Sequence, residues 1–524
     1  MVQGSPQSLN PRSATAWAVG AGVLHACALM WPTTGQALGV VQVLSMSMLA
    51  QLWFRSASVK QSVWLGWVFA TAHGVTATWW LYISMHEHGG LSAPLAALAV
   101  WALQAGLGLY LGGALGLATW SCSKSSGWLR RGSAFVGAWL CAELARAQWF
   151  TGFPWGSAGY AHVDSALALL APWVGVYGIG AAAAALAVGL SLVWSVQRSI
   201  MRAGAWVMAL AVMLALNQAW RAPDLTHEVR SVPLTLLQGN VAQDQKFGAQ
   251  RESAVQWYVQ HIQSAQAGLV LAPETAIAKP TITWSPDLWQ DLAPQGSARA
   301  LMLGAPWQSA DRLANSVLAW AGQRSEQDNL QHRPPKPDFR YDKHHLVPFG
   351  EFIPTGFAWF VQALNIPMGE FERGAKDQAN WSWGGLNWAP HICFEDLFGE
   401  ELSQVVMQEH PAQVLVNFSN IAWFGDTIAQ GQHLNISRMR TLELQRPMVR
   451  VTNTGSTAVI DHEGRVRAHL PVWARQVLRT QVTGRDGPPT LYARWTHAWG
   501  LWPLWLSGLL LLCWPRLNRR RRQE

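Results

Sequence analysis

Three residue types that could act together on an acyl group stand at the ends of apolar, strand-like runs. Cys393 ends "LNWAPHICF" and is followed by Phe394, Glu395 and Asp396. Neighbouring carboxylates disfavour the thiolate, which is the reactive form of cysteine. The local sequence therefore leaves two readings open. Cys393 is either a small buried hydrophobe, the usual role of a lone cysteine, or a nucleophile activated from elsewhere in the chain. Glu274 follows "LVLA" with only Pro273 between, and Lys343 sits in the charged island "FRYDKHHLVPFGEFIP". Brought together, Glu274 could take the thiol proton as general base. Lys343 could steady the thiolate and a tetrahedral oxyanion, helped by the Phe394 backbone N–H. Cys393 could then hold an acyl group as a thioester. Glu351, eight residues past Lys343, is a second carboxylate in the same island, and Glu395 is a further orienting or proton-handling candidate. Singly each has an ordinary reading: a glutamate at a strand end is commonly a solvated rim residue, and a lysine in a charged island is commonly on the surface.

Other motifs carry less. His344 and His345 are adjacent, and neighbours on a strand point to opposite faces, so they do not suit one metal. "HEH" at His86–His88 is weaker still, and "NIS" at Asn435 falls on a helical pattern. No P-loop or dinucleotide fingerprint is present.

Elements must hold those three strand ends together. Strand-like runs cover 232–240, 267–277, 300–307, 315–322, 386–394, 412–420 and 448–460, and helical patterns cover 250–265, 398–409 and 429–445. Strands alternating with helices predict a layered α/β domain. The segment 321–339 reads as a polar hairpin or loop.

That domain is embedded in a chain of another character. Of the 524 residues 50% are hydrophobic and 13% charged, against roughly 25% charged in a soluble domain. Seven apolar stretches, 14–31, 36–54, 62–83, 92–119, 132–148, 166–195 and 203–219, precede the polar region, and an eighth, 495–514, follows it. Each approaches the length needed to cross a bilayer, and the first lacks a cleavage site, so it reads as a retained helix. Lys and Arg fall only in alternate connections: Arg12, then Arg55 and Lys60, then Lys124, Arg130 and Arg131, then Arg198 and Arg202, then the terminal arginines. The connections 32–35, 84–91 and 149–165 carry none. This pattern places both termini in the cytoplasm and the polar domain outside, in the periplasm of a bacterium. The expected organisation is a seven-helix membrane domain over 1–220, an exported catalytic domain over 221–494, and an eighth helix with a basic tail over 495–524. The net charge of +8 thus reads as a topology signal rather than a nucleic-acid surface. Of the five cysteines only Cys393 lies in the exported domain, where no intradomain disulfide is open to it.

"APETAI", "YDKHHLVPFGEFIP", "ICFEDLFGE" and "NISRMRTLELQRPMVRVTNTG" resemble the nitrilase-superfamily domain of apolipoprotein N-acyltransferases, and "TGFPWGSAGYAH" resembles the membrane part of that family. The resemblance implies an αββα sandwich, a triad at Glu274, Lys343 and Cys393, and further essential glutamates at Glu351 and Glu395. It implies acyl transfer from the sn-1 position of a membrane phospholipid, through a thioester on Cys393, to the N-terminal amine of a diacylated apolipoprotein. It implies no cofactor, and a monomer is expected. Phe247, Trp359, Phe360, Trp423 and Phe424 are candidate substrate contacts. The stretch 353–371, with Phe357, Trp359, Phe360 and Leu364, reads either as an apolar arm toward lipid or as core packing.

Three positions depart from the family pattern: Phe247 in place of Trp, Phe394 in place of Tyr, and Ile421 in place of Asp. The first two keep a ring and lose a polar handle. None is a thioester-forming residue, so the covalent step is expected to survive. The alternatives are a divergent member with altered acceptor, a membrane-tethered amidase that passes the acyl group to water, a transporter with Glu143 and Arg146 on its path, and a catalytically inert binding protein.

Overall fold

The computed structural model describes residues 10–122, 126–192, 224–243, 245–246, 251–294, 298–310, 312–322, 336–356 and 371–520. They form two compact units, one of 10–82, 93–192 and 498–520, the other of 83–92 and 224–497.

The first unit is helical: α1 (Pro11–Leu29), α2 (Gly39–Phe54), α3 (Val59–Ala77), α4 (Ala93–Ser121), α5 (Trp128–Gln148), α6 (Ala171–Ser191) and a terminal helix, Trp502–Arg520. Local chemistry starts these helices. Asn10 and Ser58 cap α1 and α3 by accepting from Arg12 and Gln61 N–H, which relieves donors that have no partner inside the helix. Along α4 the large side chains Leu98, Trp101, Leu109, Leu117 and Trp120 face outward, and Ala96, Gly108, Gly112 and Gly116 face inward. An apolar exterior over a seam of small residues is the pattern of helices packed in lipid. The seam is tight: a Cβ on Gly112 would stand 2.9 Å from the Val63 carbonyl oxygen of α3. Among the described residues, Ala93–Ser121 and Ala166–Ser191 are long and apolar enough to cross a membrane, and a third qualifies if Leu491–Trp499 and Trp502–Arg516 count as one broken span. The eighth predicted stretch is thus interrupted, at Gly500, whose φ is +56°. The seventh, 203–219, lies outside the described residues. Glu143 and Arg146 stand 3.8 Å apart on α5, and Glu143 also accepts from the Ala158 N–H at 2.7 Å.

The second unit holds two six-stranded sheets. The first runs in the order β12 (Gln476–Asp486), β1 (His227–Gln238), β2 (Gly268–Ala272), β3 (Arg299–Ser309), β4 (Arg312–Ala321), β5 (Phe339–Asp342). The second runs β11 (Val466–His469), β10 (Ala458–Ile460), β9 (Met448–Thr452), β8 (Val414–Ser419), β7 (Leu386–Ile392), β6 (Trp381–Trp383). β1, β2 and β3 are parallel, as are β7, β8 and β9.

Alternation along each strand builds the layers. Leu234, Leu236, Leu269, Leu271, Met302 and Val317 of the first sheet share one core with Trp388, Val414, Val416, Val449 and Val451 of the second. The opposite face of the first sheet, with Leu237, Val270, Leu301 and Leu303, packs on Val255, Tyr258 and Ile262 of α7 (Arg251–Ser264) and on Leu292 of α8 (Pro286–Leu292). The opposite face of the second, with Leu415 and Met448, packs on Leu444 of α9 (Ala429–Leu444) and on Tyr492 of α10 (Leu491–Trp499). The result is the expected αββα sandwich.

Several boundaries move. The predicted strand 267–277 stops at Ala272, because Pro273 and the turn at Thr275 (φ +47°) end it. The run 448–460 divides into β9 and β10 around Ser456 (φ +58°). The predicted helix 398–409 is two short pieces, Gly399–Leu402 and Ser403–Val406. Most of the polar segment 321–339 lies outside the described residues, and its end is β5.

Candidate active site

Glu274, Lys343 and Cys393 each sit just past a strand end, on β2, β5 and β7. Glu274 leaves β2 through a turn that nests against Gly304 of β3, where a Cβ would lie 2.6 Å from the Glu274 Cα. The turn is closed by the Ala276 N–H donating to the Gly304 carbonyl at 3.0 Å. Cys393 has φ +51°, a left-handed conformation that costs a non-glycine residue about 1–2 kcal/mol. Such a turn from strand into helix projects a nucleophile clear of its own sheet.

The charged groups interlock. Lys343 Nζ lies 3.0 and 2.9 Å from the two Glu351 oxygens and 3.5 Å from Glu274 Oε1. Asn315 Nδ2 donates to Glu274 Oε1 at 2.8 Å and to Glu351 Oε1 at 2.7 Å. The Asn315 carbonyl also accepts from the Lys343 N–H at 2.8 Å. The remaining carboxylate oxygens are held by backbone: Asn420 N–H donates to Glu274 Oε2, and Val347 N–H to Glu351 Oε2, at 2.7 and 2.8 Å. Lys343, Glu274, Glu351 and Asn315 are all buried, whereas Cys393 is only partly so.

The electrostatics follow from this arrangement. Burial works against the Lys343 charge, but Glu351 and then Glu274 carry its pKa above the ordinary lysine value, so it is a fixed ammonium. Burial and the Glu274 charge push the Cys393 thiol up to about 12; Lys343 and the Asn420 N–H pull the other way. Cys393 is therefore a thiol at rest, and any attack by its sulfur requires that proton to leave. A buried carboxylate beside a thiol and a fixed ammonium can support nucleophilic attack on a carbonyl, with base and oxyanion partner already in place.

Residues 21–189 match the family model of the apolipoprotein N-acyltransferase N-terminal domain, and residues 236–486 match that of the carbon-nitrogen hydrolases. The chain is 45% identical to the apolipoprotein N-acyltransferase of Verminephrobacter eiseniae, over 97% of both chains. It is 41% identical to that of Ralstonia nicotianae, over 92% of this chain and 90% of the other. The chain belongs to the apolipoprotein N-acyltransferase family. It is accordingly an enzyme, an acyltransferase, and its second unit has the nitrilase-like fold of carbon-nitrogen hydrolases. Among solved structures, a CN-hydrolase superfamily protein from Xanthomonas campestris matches 52% of this chain and 96% of its own, at 14% identity and a TM-score of 0.34.

Against the family pattern, the other expected residues fall as follows. Glu395 is buried and accepts from Tyr341 OH at 2.9 Å and from the N–H groups of His344, His345 and Ile392 at 2.7, 3.1 and 2.6 Å. It ties the loop that follows Lys343 to the strand that ends at Cys393. Burial raises the Glu395 pKa, and those backbone donors oppose the rise. Asp396 faces the other way, toward His391 and Arg450. The Phe394 ring packs against His345 and Phe398, with centroids 5.7 and 5.3 Å away. Ile421 is fully buried. Trp423 and Phe424 lie in a short 3-10 turn, and the half-exposed Trp423 meets His88 edge to face at 5.5 Å. Phe247, Trp359 and Phe360 lie outside the described residues.

Two residues escaped the sequence reading. Asn315 was hidden inside a strand, where a lone amide in "ANSVLAWA" was the available signal. Lys246 is buried, and its Nζ donates to Thr275 Oγ1 at 2.9 Å and to the Thr275 and Glu274 carbonyls at 3.3 and 3.4 Å. It braces the turn that carries Glu274. Among the described residues no cluster of three metal-ligating side chains occurs.

Proposed function

We propose that the chain transfers the sn-1 acyl group of a membrane phospholipid to the N-terminal amine of a diacylated apolipoprotein. The observation that carries this reading is the buried set of Glu274, Lys343 and Glu351 beside Cys393, in a chain that belongs to this family. In the first half-reaction Cys393 Sγ attacks the ester carbonyl while Glu274 takes the thiol proton. The tetrahedral oxyanion is met by Lys343 and the Phe394 N–H. The C–O bond breaks, the glycerol oxygen leaves with the proton from Glu274, and a thioester and a lysophospholipid remain. In the second half the acceptor amine attacks the thioester, Glu274 takes a proton from nitrogen, and the C–S bond breaks to leave an amide. The proton returns to sulfur.

The reading includes a membrane setting. The helices are taken as eight spans of the bacterial inner membrane, with both termini cytoplasmic and the catalytic unit periplasmic, because basic residues occupy alternate connections only. Both substrates are lipids, and drawing a chain out of a bilayer costs ~0.8 kcal/mol per CH₂, so a membrane-held catalyst avoids extracting either one. Trp423 and Phe424, with Phe247, Trp359 and Phe360, are assigned to the lipid chains.

The competing fate of the thioester is hydrolysis. Purified enzyme loaded with phospholipid is chased with buffer or with a diacylated lipopeptide. Acyl-enzyme that persists in buffer and discharges onto the lipopeptide amine supports transfer; discharge to free fatty acid at the same rate in both would make the chain a hydrolase.

A further inference from the structure

Behind Cys393, on the α9 side of its sheet, lies a buried polar chain that takes no part in the steps above. The Cys393 carbonyl accepts from His433 Nε2 at 3.2 Å and from Asn417 Nδ2 at 3.4 Å. The other ring nitrogen, His433 Nδ1, faces Arg450 Nη2 at 3.0 Å. Arg450 Nη1 reaches Ser437 Oγ at 2.6 Å and lies 3.6 Å from Asp396 Oδ2. Ser437 donates to that same carboxylate, whose other oxygen is 2.5 Å from His391 Nε2. His433, Arg450, Ser437 and Asp396 are all fully buried.

The proton count along this chain is determined. A guanidinium can only donate. His433 Nδ1 must therefore be the acceptor, and the ring proton must sit on Nε2, aimed at Cys393. Burial, reinforced by the Arg450 charge, pushes His433 down to about 3, so the ring stays neutral. Burial opposes the Asp396 charge, but His391 and Arg450 hold it down at about 2. Asp396 is therefore the counter-charge that keeps Arg450 in place.

The carbonyl these groups grip belongs to the same peptide unit as the Phe394 N–H. A hydrogen bond to the oxygen of an amide polarises it and strengthens its N–H as a donor. We propose that Arg450 and His433 are positioning residues for acyl transfer: they hold the left-handed turn at Cys393 and, through its carbonyl, strengthen the Phe394 N–H toward the oxyanion. The proposal rests on the thioester reading given above. It also accounts for how the oxyanion donor can work beside Phe394, since that donor is backbone, not ring.

The test separates acylation, which needs the oxyanion donor, from alkylation of the thiol, which does not. Full-length enzyme in detergent is acylated by phospholipid in a single turnover, and Cys393 is alkylated in parallel by iodoacetamide. Loss of one direct oxyanion donor costs ~10²–10³-fold. His433→Leu, which acts one bond unit further away, is expected to slow acylation about 10- to 100-fold and to leave alkylation near the wild-type rate. His433→Gln, whose amide offers both a donor and an acceptor, should recover most of the acylation. The isotope-edited carbonyl stretch of the thioester should move to higher frequency in His433→Leu, since a weaker donor polarises the carbonyl less. Should the leucine variant not fold, Arg450→Lys keeps the charge and drops the arm that reaches His433. It should show the same split, acylation slowed and alkylation held. Equal losses of acylation and alkylation would reduce His433 to a scaffold and overturn the inference, as would wild-type acylation in His433→Leu or Arg450→Lys. Wild-type enzyme that alkylates and never acylates would sink the thioester reading itself, and this inference with it.

Discussion

Lys343 sits closer to Glu351, at 2.9 Å, than to Glu274, at 3.5 Å. The ammonium therefore forms its tight pair with the second carboxylate and leaves Glu274 the weaker contact. A base must be able to accept a proton, and a carboxylate clamped by a close ammonium is a poor one. On the proposed mechanism the two glutamates divide the labour: Glu351 fixes the lysine, and Glu274 handles the proton.

This division is tested by paired substitutions. Glu274→Gln keeps the hydrogen-bonding shape and removes the base, so acyl-enzyme formation should fall by ~10²–10⁴-fold with little change in thermal stability. Lys343→Met leaves two buried carboxylates without their cation, and breaking a buried pair in this way costs ~3–5 kcal/mol. It should therefore lose activity and unfold at visibly lower temperature or denaturant in the same detergent. A Glu274→Gln variant that acylates at the wild-type rate would contradict the assignment.

The thiol sets a pH signature. With Cys393 pushed up to about 12, the free enzyme holds a thiol at neutral pH, and the thiolate fraction grows as pH rises. The rate of iodoacetamide alkylation at Cys393 should climb steadily through pH 9 and 10, roughly tenfold per pH unit, as expected below a thiol pKa. A plateau near neutrality would show a preformed thiolate–ammonium pair instead.

Asn315 spans both carboxylates through one nitrogen, and its carbonyl holds the Lys343 backbone. Asn315→Leu should cost ~1–3 kcal/mol, the usual penalty for leaving a buried polar group unpaired. It should lower the rate constant for acylation more than it weakens phospholipid binding. Asn315→Asp should do worse, because a third carboxylate enters the cluster. Unchanged acylation in Asn315→Leu would remove the residue from the site.

Lys246 gives a stability slope. Burial pulls its pKa from 10.5 down to about 7, with Glu274 opposing. Between those values the unfolded chain holds a proton that the folded one has released. Stability rises with pH wherever the unfolded state binds more protons, so Lys246 contributes an upward slope from about pH 7 to pH 10. Below pH 7 both states are charged and the slope vanishes. Denaturant titrations across this range should show the slope in the wild type and a flatter curve in Lys246→Met; identical slopes would mean the ammonium is not desolvated in the folded enzyme.

Much of this site was legible in the chain because its residues end apolar runs. Glu274 and Cys393 were conspicuous as charge and thiol at the close of apolar runs, and strand-like runs alternating with helical patterns pointed to a layered α/β domain. What stayed hidden was polar and long-range. β12 alternates Arg479, Gln481 and Thr483 with residues of middling apolarity and depends on pairing with β1 for its form. Asn315 and Lys246 act only through partners tens of residues away in sequence, and no local spacing marks such a contact. Glu395 was foreseen as orienting or proton-handling; its neighbours in space are the backbone donors at His344, His345 and Ile392, which a linear reading cannot place. The left-handed turn at Cys393 was equally invisible, since no glycine advertises it.

A thioester on Cys393 is read directly by intact-mass spectrometry of the purified enzyme mixed with phospholipid. Wild type should gain the mass of one acyl chain on Cys393, labile to hydroxylamine and discharged by a diacylated lipopeptide, and Cys393→Ala should gain none. An active wild type that carries no adduct, or an adduct that persists in Cys393→Ala, would contradict it.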